Sequence, residues 1–122
     1  MDVFGLISSL APNAKINDYV VYRFGPGSYS GATYVSGMQT NLVIHMSVQP
    51  ANDRERLLLE EGDRLKGAIK SYSEQEIRAM DDITLAKADQ IIFNNRPYEV
   101  KKVNNYIDYY ESLAVLLNED SI

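Results

Sequence analysis

The stretch NLVIHMSVQ, residues 41–49, decides the fold class because its apolar and polar side chains alternate with a period of two. One face consists of Leu42, Ile44, Met46 and Val48, and the other of Val43, His45, Ser47 and Gln49. This alternation predicts a β-strand with one face on a core and the other toward water or a partner. Pro50 is expected to end the strand, since proline cannot donate to a β-ladder.

A short helix is predicted directly after this strand. Asn52 is a favourable N-cap residue, and Glu55 stands three positions later, as in a capping box. Gly62 fits the left-handed position that follows a helix C-terminus. These signals predict a helix over residues 53–61, which needs tertiary packing because it is short. We expect its leucine side, residues 57–59, to pack on the domain and help cover an open end.

Further short strands are predicted on both sides of this helix. They are residues 19–24 (YVVYRF), 64–73 (RLKGAIKSYS), 88–93 (ADQIIF), 97–103 (PYEVKKV) and 106–118 (YIDYYESLAVLLN). Asn94 and Asn95 predict a tight turn, because asparagine tolerates a positive φ. The last strand becomes apolar on both faces, which predicts a central strand or one covered by another subunit. Lys101 and Lys102 are neighbours on one strand and are therefore expected on opposite faces.

Residues 25–37, GPGSYSGATYVSG, contain four of the seven glycines. Ser30 and Gly31 lie between Tyr29 and Tyr34, which predicts a hairpin turn with the tyrosines on its arms. The segment lacks the Lys-Ser/Thr ending of a P-loop and the helix that follows a dinucleotide fingerprint. We therefore expect a flexible hairpin and not a phosphate-binding loop.

Together these elements predict a mainly β protein, a small antiparallel β-barrel or sandwich with one short internal helix. The length of 122 residues suits a single domain, with a body over residues 19–117 and a tail over 118–122. An N-terminal helix over residues 1–12, ended by Pro12, is also predicted. Its apolar face consists of Val3, Phe4, Ile7 and Leu10. This segment either docks on its own domain or is an arm that docks on a neighbouring subunit.

The composition narrows the function classes. The net charge of −5 does not suit a protein that holds nucleic acid by neutralising phosphates. The absence of cysteine excludes disulfides and thiolate metal sites. The N-terminus lacks a basic region and a long apolar run, so neither a cleavable signal nor a membrane span is expected. The nine tyrosines suit half-buried strand faces and interfaces.

The residue types for catalysis do not form a recognisable arrangement. His45 is the only histidine, and Ser47 beside it is an ordinary same-face neighbour on a strand. Asp81 and Asp82 match no EF-hand spacing and are expected to be solvated. We predict no enzyme site, no cofactor and no metal site. The densest basic set is Arg54, Arg56, Arg64, Lys66 and Lys70. Its interleaved acids suit ion pairs between subunits better than a phosphate track.

The order of these motifs resembles the neck proteins of tailed bacteriophages, of the head-tail joining or head-closure type. The resemblance covers roughly residues 19–117. It is carried by GSYSGATYVSG, VIHMSVQPA, RERLLLEEGDR, ADQIIFNNRPYEVKKV and YYESLAVLL. This chain has Asn94-Asn95 where the family often has a glycine turn before YEV, and no tryptophan follows.

The resemblance implies a β-barrel-like subunit of a virion, assembled in the host cytoplasm into a homo-oligomeric ring of about six or twelve subunits. Such a ring lies between a portal or adaptor protein and a tail terminator or tail tube protein, with genomic DNA passing through its channel. An acidic subunit suits a channel in which DNA slides without sticking.

Two groups of residues are predicted to make these contacts. The subunit-interface candidates are Arg54, Arg56, Leu58, Glu60, Glu61, Arg64, Tyr109 and Tyr110. The candidates for docking on the portal or tail, or for facing the channel, are Tyr29, Ser30, Gly31 and Tyr34. The alternative function is a small β-barrel nucleic-acid-binding module, and a small-ligand or hydrolytic enzyme is disfavoured because no catalytic constellation is found.

Overall fold

A computed structural model describes residues 15–59 and 67–117 of the chain. Its elements are β1 (Lys15–Phe24), β2 (Ser28–Ser30), β3 (Thr33–Val35), β4 (Gln39–Pro50), α1 (Asp53–Arg56), β5 (Ala68–Ser73), β6 (Gln90–Phe93), β7 (Arg96–Asn105) and β8 (Tyr110–Leu116). Six strands close a barrel in the order β1-β4-β5-β8-β7-β6, and every neighbouring pair is antiparallel. The predicted mainly β, antiparallel fold is confirmed, and the barrel is favoured over the sandwich. The N-terminal helix and the tail lie outside the described residues.

The barrel interior is filled by the inward side chains of these strands. They include Val21, Ile44, Met46, Val48, Ile69, Ile91, Phe93, Val100 and Ala114, all buried. The predicted core face of β4 is thus confirmed, with Leu42 partly buried against the same cluster. Such close-packed apolar side chains are the main stabilising contribution in a domain of this size.

The opposite face of β4 follows the prediction only in part. Val43 and His45 are exposed on the outer wall of the barrel, but Ser47 is fully buried there. Its register neighbours are Ile16 and Tyr72, whose larger side chains flank it. The Ser47 hydroxyl has no hydrogen-bond partner among the described residues.

The two ends of the barrel carry different connections. At one end, here called the hairpin end, lie the β2–β3 hairpin, the segment 74–89 and the turn between β7 and β8. At the other, the helix end, lie α1 and the turn between β6 and β7. That turn is formed by Asn94 and Asn95, whose φ angles of 51° and 62° confirm the predicted left-handed conformation.

The helix is shorter than predicted, and its leucines are placed differently. The capping box between Asn52 and Glu55 is present, but α1 ends at Arg56, and residues 60–66 are outside the described residues. Leu57 and Leu58 are 64% and 58% exposed, whereas Leu59 is buried. Because α1 ends at Arg56, these leucines lie in the turn that follows it, and even in a continuous helix side chains about 100° apart would not share one face.

Leu59 covers the outer wall of the barrel and not an open end, which corrects the sequence-based expectation. It clusters with Ala51, Ala68, Leu113 and Val115, which are outward residues of β5, β8 and the loop before α1. The last turn is tightened by the Leu58 and Leu59 N–H groups, which donate to the carbonyls three residues earlier. The predicted apolar character of both β8 faces is confirmed, and the cover on its outer face comes from the same chain.

Lys101 and Lys102 lie on the same side of β7, so the prediction of opposite faces was wrong. Val100 pairs with Ala114 and Lys102 pairs with Leu113, which leaves Lys101 as the extra residue of a β-bulge. Val100 and Val103 point inward, and both lysines are exposed. A bulge inserts one residue into the period of two, and this changes the face on which the next side chain lies.

Candidate docking surface at the hairpin end

A buried ion pair fixes the segment 74–89 to the barrel. Asp89 is fully buried, and its two carboxylate oxygens accept hydrogen bonds from Arg23 Nε at 3.1 Å and Arg23 Nη2 at 2.8 Å. The second oxygen also accepts from the Arg78 backbone N–H at 2.9 Å. Arg23 Nη2 further donates to the Glu76 carbonyl at 2.7 Å. The hydrogen bond to Asp89 raises the pKa of Arg23, although partial burial opposes this shift. One carboxylate therefore holds both a strand and a connecting segment.

Apolar side chains of the same segment complete the attachment. Ile77 and Ala88 are buried in the barrel core. The backbone of Asp89 donates to the Arg78 carbonyl at 2.9 Å and accepts from the Val100 N–H at 2.9 Å. The segment is thus attached to the barrel core and to β7 and is not a loose connection.

Asp81 organises the exposed turn that follows. Its Oδ1 accepts hydrogen bonds from the backbone N–H groups of Ile83 at 2.9 Å and Thr84 at 3.3 Å, which lower the pKa of the carboxyl. The Asp81 N–H donates to the Ala86 carbonyl, and Leu85 adopts a left-handed φ of 59°. The turn leaves Ile83 94% exposed at its tip.

The β2–β3 hairpin docks on this turn. Tyr34 Oη donates to the Leu85 carbonyl at 2.6 Å, and the Gly27 N–H donates to the Thr84 carbonyl at 3.1 Å. A Cβ on Gly27 would lie 2.5 Å from the Leu85 oxygen, so the close approach requires glycine. The hairpin, which the sequence predicts to be flexible, is therefore attached to this turn by two hydrogen bonds.

The predicted turn chemistry of the hairpin is confirmed. Tyr29 pairs with Tyr34 across the two strands, and their rings meet edge to face at 5.8 Å. The chain reverses through Gly31, whose φ is 66°. Aromatic cross-strand pairs stabilise such short hairpins.

A cavity of about 790 Å³ lies between the end of β1, the segment 76–87 and the ends of β7 and β8. Its apolar lining includes Phe24, Ile77, Met80, Ile83, Val103 and Tyr110. Lys87 lies above the Phe24 ring, with its Nζ 5.5 Å from the ring centroid. The lining is thus mixed, because Glu76, Arg78, Asp81, Asp82 and Lys87 also line the opening.

Most of the exposed large apolar side chains in the described part of the chain lie at the hairpin end. They are Tyr29, Val35, Met38, Met80, Ile83, Tyr106 and Ile107. Tyr106 stacks on Tyr109 within the β7–β8 turn at a centroid distance of 4.8 Å. A concentration of exposed apolar side chains is typical of an interaction surface.

The same end carries an excess of negative charge. The carboxylates are Glu74, Glu76, Asp81, Asp82, Asp89 and Asp108, and the cations are Arg23, Arg78 and Lys87, a net charge of −3 from six acids and three bases. Two of the cations are engaged internally, since Arg23 pairs with Asp89 and Arg78 lies 2.7 Å from Glu76. The exposed apolar side chains are therefore bordered by acidic groups.

The structure divides the predicted contact residues between the two ends. Tyr29, Ser30, Gly31 and Tyr34 lie together at the hairpin end, as their grouping predicted. Tyr110 lines the cavity, and Tyr109 stacks on Tyr106 in the β7–β8 turn. These two tyrosines therefore lie at the hairpin end and not near α1. Arg54, Arg56 and Leu58 lie at the helix end, where Arg54 and Leu58 are exposed. Glu60, Glu61 and Arg64 lie outside the described residues.

At the helix end, Glu55 both caps α1 and pairs with a lysine of β5. Its Oε1 accepts from the Asn52 N–H at 2.9 Å, and its Oε2 lies 2.5 Å from Lys70 Nζ on β5. Lys70 also lies 3.8 Å from Glu111 and 5.1 Å from the Tyr72 ring centroid. Partial burial alone would lower the pKa of Lys70, but the hydrogen bond to Glu55 and the contact with Tyr72 outweigh it and raise the pKa. Lys70, predicted for ion pairs between subunits, is thus paired within its own chain.

The Arg23–Asp89 pair and the exposed Ile83 were not among the predicted residues. Asp89 and Gln90 are two polar residues directly before the apolar run 91–93, which does not indicate that Asp89 is buried, and nothing in the sequence near Arg23 indicates its partner. No protein-family model matches the chain, and a search of curated proteins finds no significant match. Within the described residues, no helix is long and apolar enough to span a membrane.

Proposed function

We propose that this protein is a structural ring subunit of a tailed-bacteriophage neck, which joins the head to the tail and lines or closes the DNA channel. The proposal rests on the order of motifs that resembles head-tail joining and head-closure proteins. A closed antiparallel barrel agrees with the body that this resemblance implies. The subunits pack side by side, and the ring stacks on neighbouring neck proteins through one of its faces.

The observation that carries the proposal is the presence of exposed apolar side chains on two separate surfaces of one small barrel. On the outer wall, Val20 and Val43 are register partners on β1 and β4 and are 40% and 67% exposed. Beside them Asp18 and His45 form an exposed pair at 2.8 Å. The second surface is the hairpin end. In a ring, each lateral contact joins two different patches of neighbouring subunits, so the outer-wall patch supplies one side of that contact and the hairpin end is left for an axial neighbour.

Negative-stain imaging of the purified full chain tests the proposal. We expect rings with a central channel, alone or after mixing with the portal and tail proteins of the same phage. A Val43→Asp variant should lose lateral contacts, whereas Ile83→Asp, a change at an even more exposed apolar residue, should keep them. Particles of single subunits under all conditions, including with the portal, would overturn the proposal.

The alternative, a small β-barrel nucleic-acid-binding module, draws on the bulge that brings Lys101 and Lys102 to one face. Glu99 lies 2.8 Å from Lys101 on the same wall, which reduces the positive charge available to phosphates. Retention on single-stranded DNA that falls with salt and is lost in Lys101→Glu/Lys102→Glu would favour this alternative. Unchanged, negligible retention of both proteins would count against it.

A further inference from the structure

We infer that the cavity at the hairpin end is a docking site for a basic, amphipathic segment of a partner protein that is not a copy of this chain. The apolar side chains of that segment enter the cavity, and its lysines or arginines meet the acidic groups around it. This goes beyond the proposed ring, whose lateral contacts use the outer wall, and the two can fail separately.

The size and lining of the cavity suit this occupant. Its volume of about 790 Å³ lies within the range of roughly 300–1,000 Å³ that is usual for binding pockets in proteins. Val103 and Tyr110 lie on the barrel side of the opening, and Met80 and Ile83 lie on the turn side. Met80 and Ile83 are 59% and 94% exposed, so apolar surface extends from the cavity to its rim. An inserted apolar side chain would remove both from water.

The charge around the cavity selects the partner. Five charged residues line the opening, and Arg78 among them is paired with Glu76. Asp81 and Asp82 therefore outnumber the remaining cation, Lys87, and Asp108 in the neighbouring β7–β8 turn adds a further negative charge. All three carboxylates are on exposed residues. A partner that carries positive charge beside its apolar residues gains complementary contacts here and associates faster at low salt.

The same charge disfavours other occupants. A symmetric contact between two copies would place the same acidic residues opposite one another. Nucleic acid and anionic membranes are repelled for the same reason. A basic protein segment is the class that both the apolar lining and the acidic border favour.

The site is largely formed before binding. The Arg23–Asp89 pair holds the segment that forms one side of the cavity, and Tyr34 holds the turn that carries Ile83. A surface that needs little ordering retains more of its contact energy as affinity. The partner segment therefore carries most of the ordering cost.

Selection from a random peptide library displayed on a carrier phage tests the inference with the full chain as the immobilised target. The expected result is enrichment of peptides that combine large apolar residues with lysine or arginine. The enriched peptides are then synthesised with a fluorescent label, and their binding is measured by anisotropy. We expect Ile83→Asp and, separately, Asp82→Lys to weaken binding about tenfold, a difference of about 1.4 kcal/mol. Val43→Asp, on the outer wall, is the matched control and should bind like the natural chain.

Because Ile83 and Asp82 are exposed, neither substitution disturbs the core, and unchanged thermal unfolding verifies this. Enrichment of acidic or uncharged peptides would overturn the inference. Equal binding of the enriched peptides to the variants and to the natural chain would overturn it as well. Self-association that Ile83→Asp abolishes would show that the occupant is a second copy. If the natural chain forms no rings under any condition but still binds the enriched peptides through Ile83 and Asp82, the proposed function fails and this inference stands, so the two failures are distinguishable.

Discussion

The two ends of the barrel are built in different ways. At the hairpin end, a fully buried carboxylate, two docked turns and several exposed apolar side chains coincide. At the helix end, a four-residue helix is held by its capping box, one Lys–Glu pair and one buried leucine. The connections at the hairpin end are fixed to the barrel by polar contacts between residues far apart in the sequence. The connection at the helix end covers apolar residues of the outer wall with one leucine side chain.

The largest effect is expected from Asp89→Ala, which removes the anchor of the hairpin end. The change leaves the partly buried Arg23 guanidinium without its partner and the Arg78 N–H without its acceptor. Breaking such a buried pair from one side costs about 3–5 kcal/mol, which urea unfolding measures. The double variant Arg23→Met/Asp89→Leu should be more stable than Asp89→Ala. Equal free energies of unfolding for Asp89→Ala and the natural chain would show that the Arg23–Asp89 pair does not anchor the hairpin end.

A smaller effect is expected from Leu59→Ala at the helix end. Leu59 is buried against the outer wall, so its truncation should lower the free energy of unfolding by about 2–3 kcal/mol. Leu58→Ala is the matched control, and because Leu58 is 58% exposed its cost should stay within about 0.5 kcal/mol. If both substitutions cost the same, the assignment of the covering role to one leucine fails.

Much of this difference between the ends could not be predicted from the sequence. The apolar face of β4, the Asn94–Asn95 turn and the capping box are local signals, and the predictions made from them are confirmed. The Arg23–Asp89 pair joins residues 66 positions apart, and no local pattern encodes that contact. The bulge at Lys101 is equally hidden, because it depends on the register with β8. Three adjacent leucines gave a helix signal without indicating which one is buried.

Removal of the helix cap gives an effect of about 1 kcal/mol. In Asn52→Ala the Glu55 N–H loses its side-chain acceptor, which destabilises the first turn of α1. The midpoint temperature of thermal unfolding should fall by a few degrees. Asn41→Ala, an exposed asparagine on β4, controls for the loss of a surface amide. A shift as large as that of Asp89→Ala would mean that α1 anchors the fold and does not merely cover it.

Charge reversal at the helix end should affect assembly more than folding. Arg54→Glu is expected to reduce the molar mass of the assembled species while the free energy of unfolding changes by less than about 1 kcal/mol. The reason is that Arg54 is exposed, and like charges across a subunit contact are unfavourable. Arg56 is left unchanged because it is half-buried and its Nε is buried. If the variant unfolds instead, this part of the chain only covers its own barrel.

The smallest effect is expected at Ser47, on the wall between the two ends. Its buried hydroxyl has no partner among the described residues, so Ser47→Ala should raise the free energy of unfolding by about 0.5–1 kcal/mol. Ser71→Ala is the contrasting variant, because the Ser71 and Ser112 hydroxyls are hydrogen-bonded to each other in the interior. That variant should be destabilised, and urea unfolding distinguishes the two. Destabilisation of Ser47→Ala would show that its hydroxyl has a partner.

The central claim is that the wall makes ring contacts while the hairpin end serves a different partner. Light scattering coupled to size-exclusion chromatography measures this directly on the full chain and on Val43→Asp and Ile83→Asp. The account predicts a mass of several subunits for the natural chain and for Ile83→Asp, and a marked loss of mass for Val43→Asp alone. A monomeric mass for all three proteins, or loss of assembly in Ile83→Asp with Val43→Asp unaffected, would contradict it.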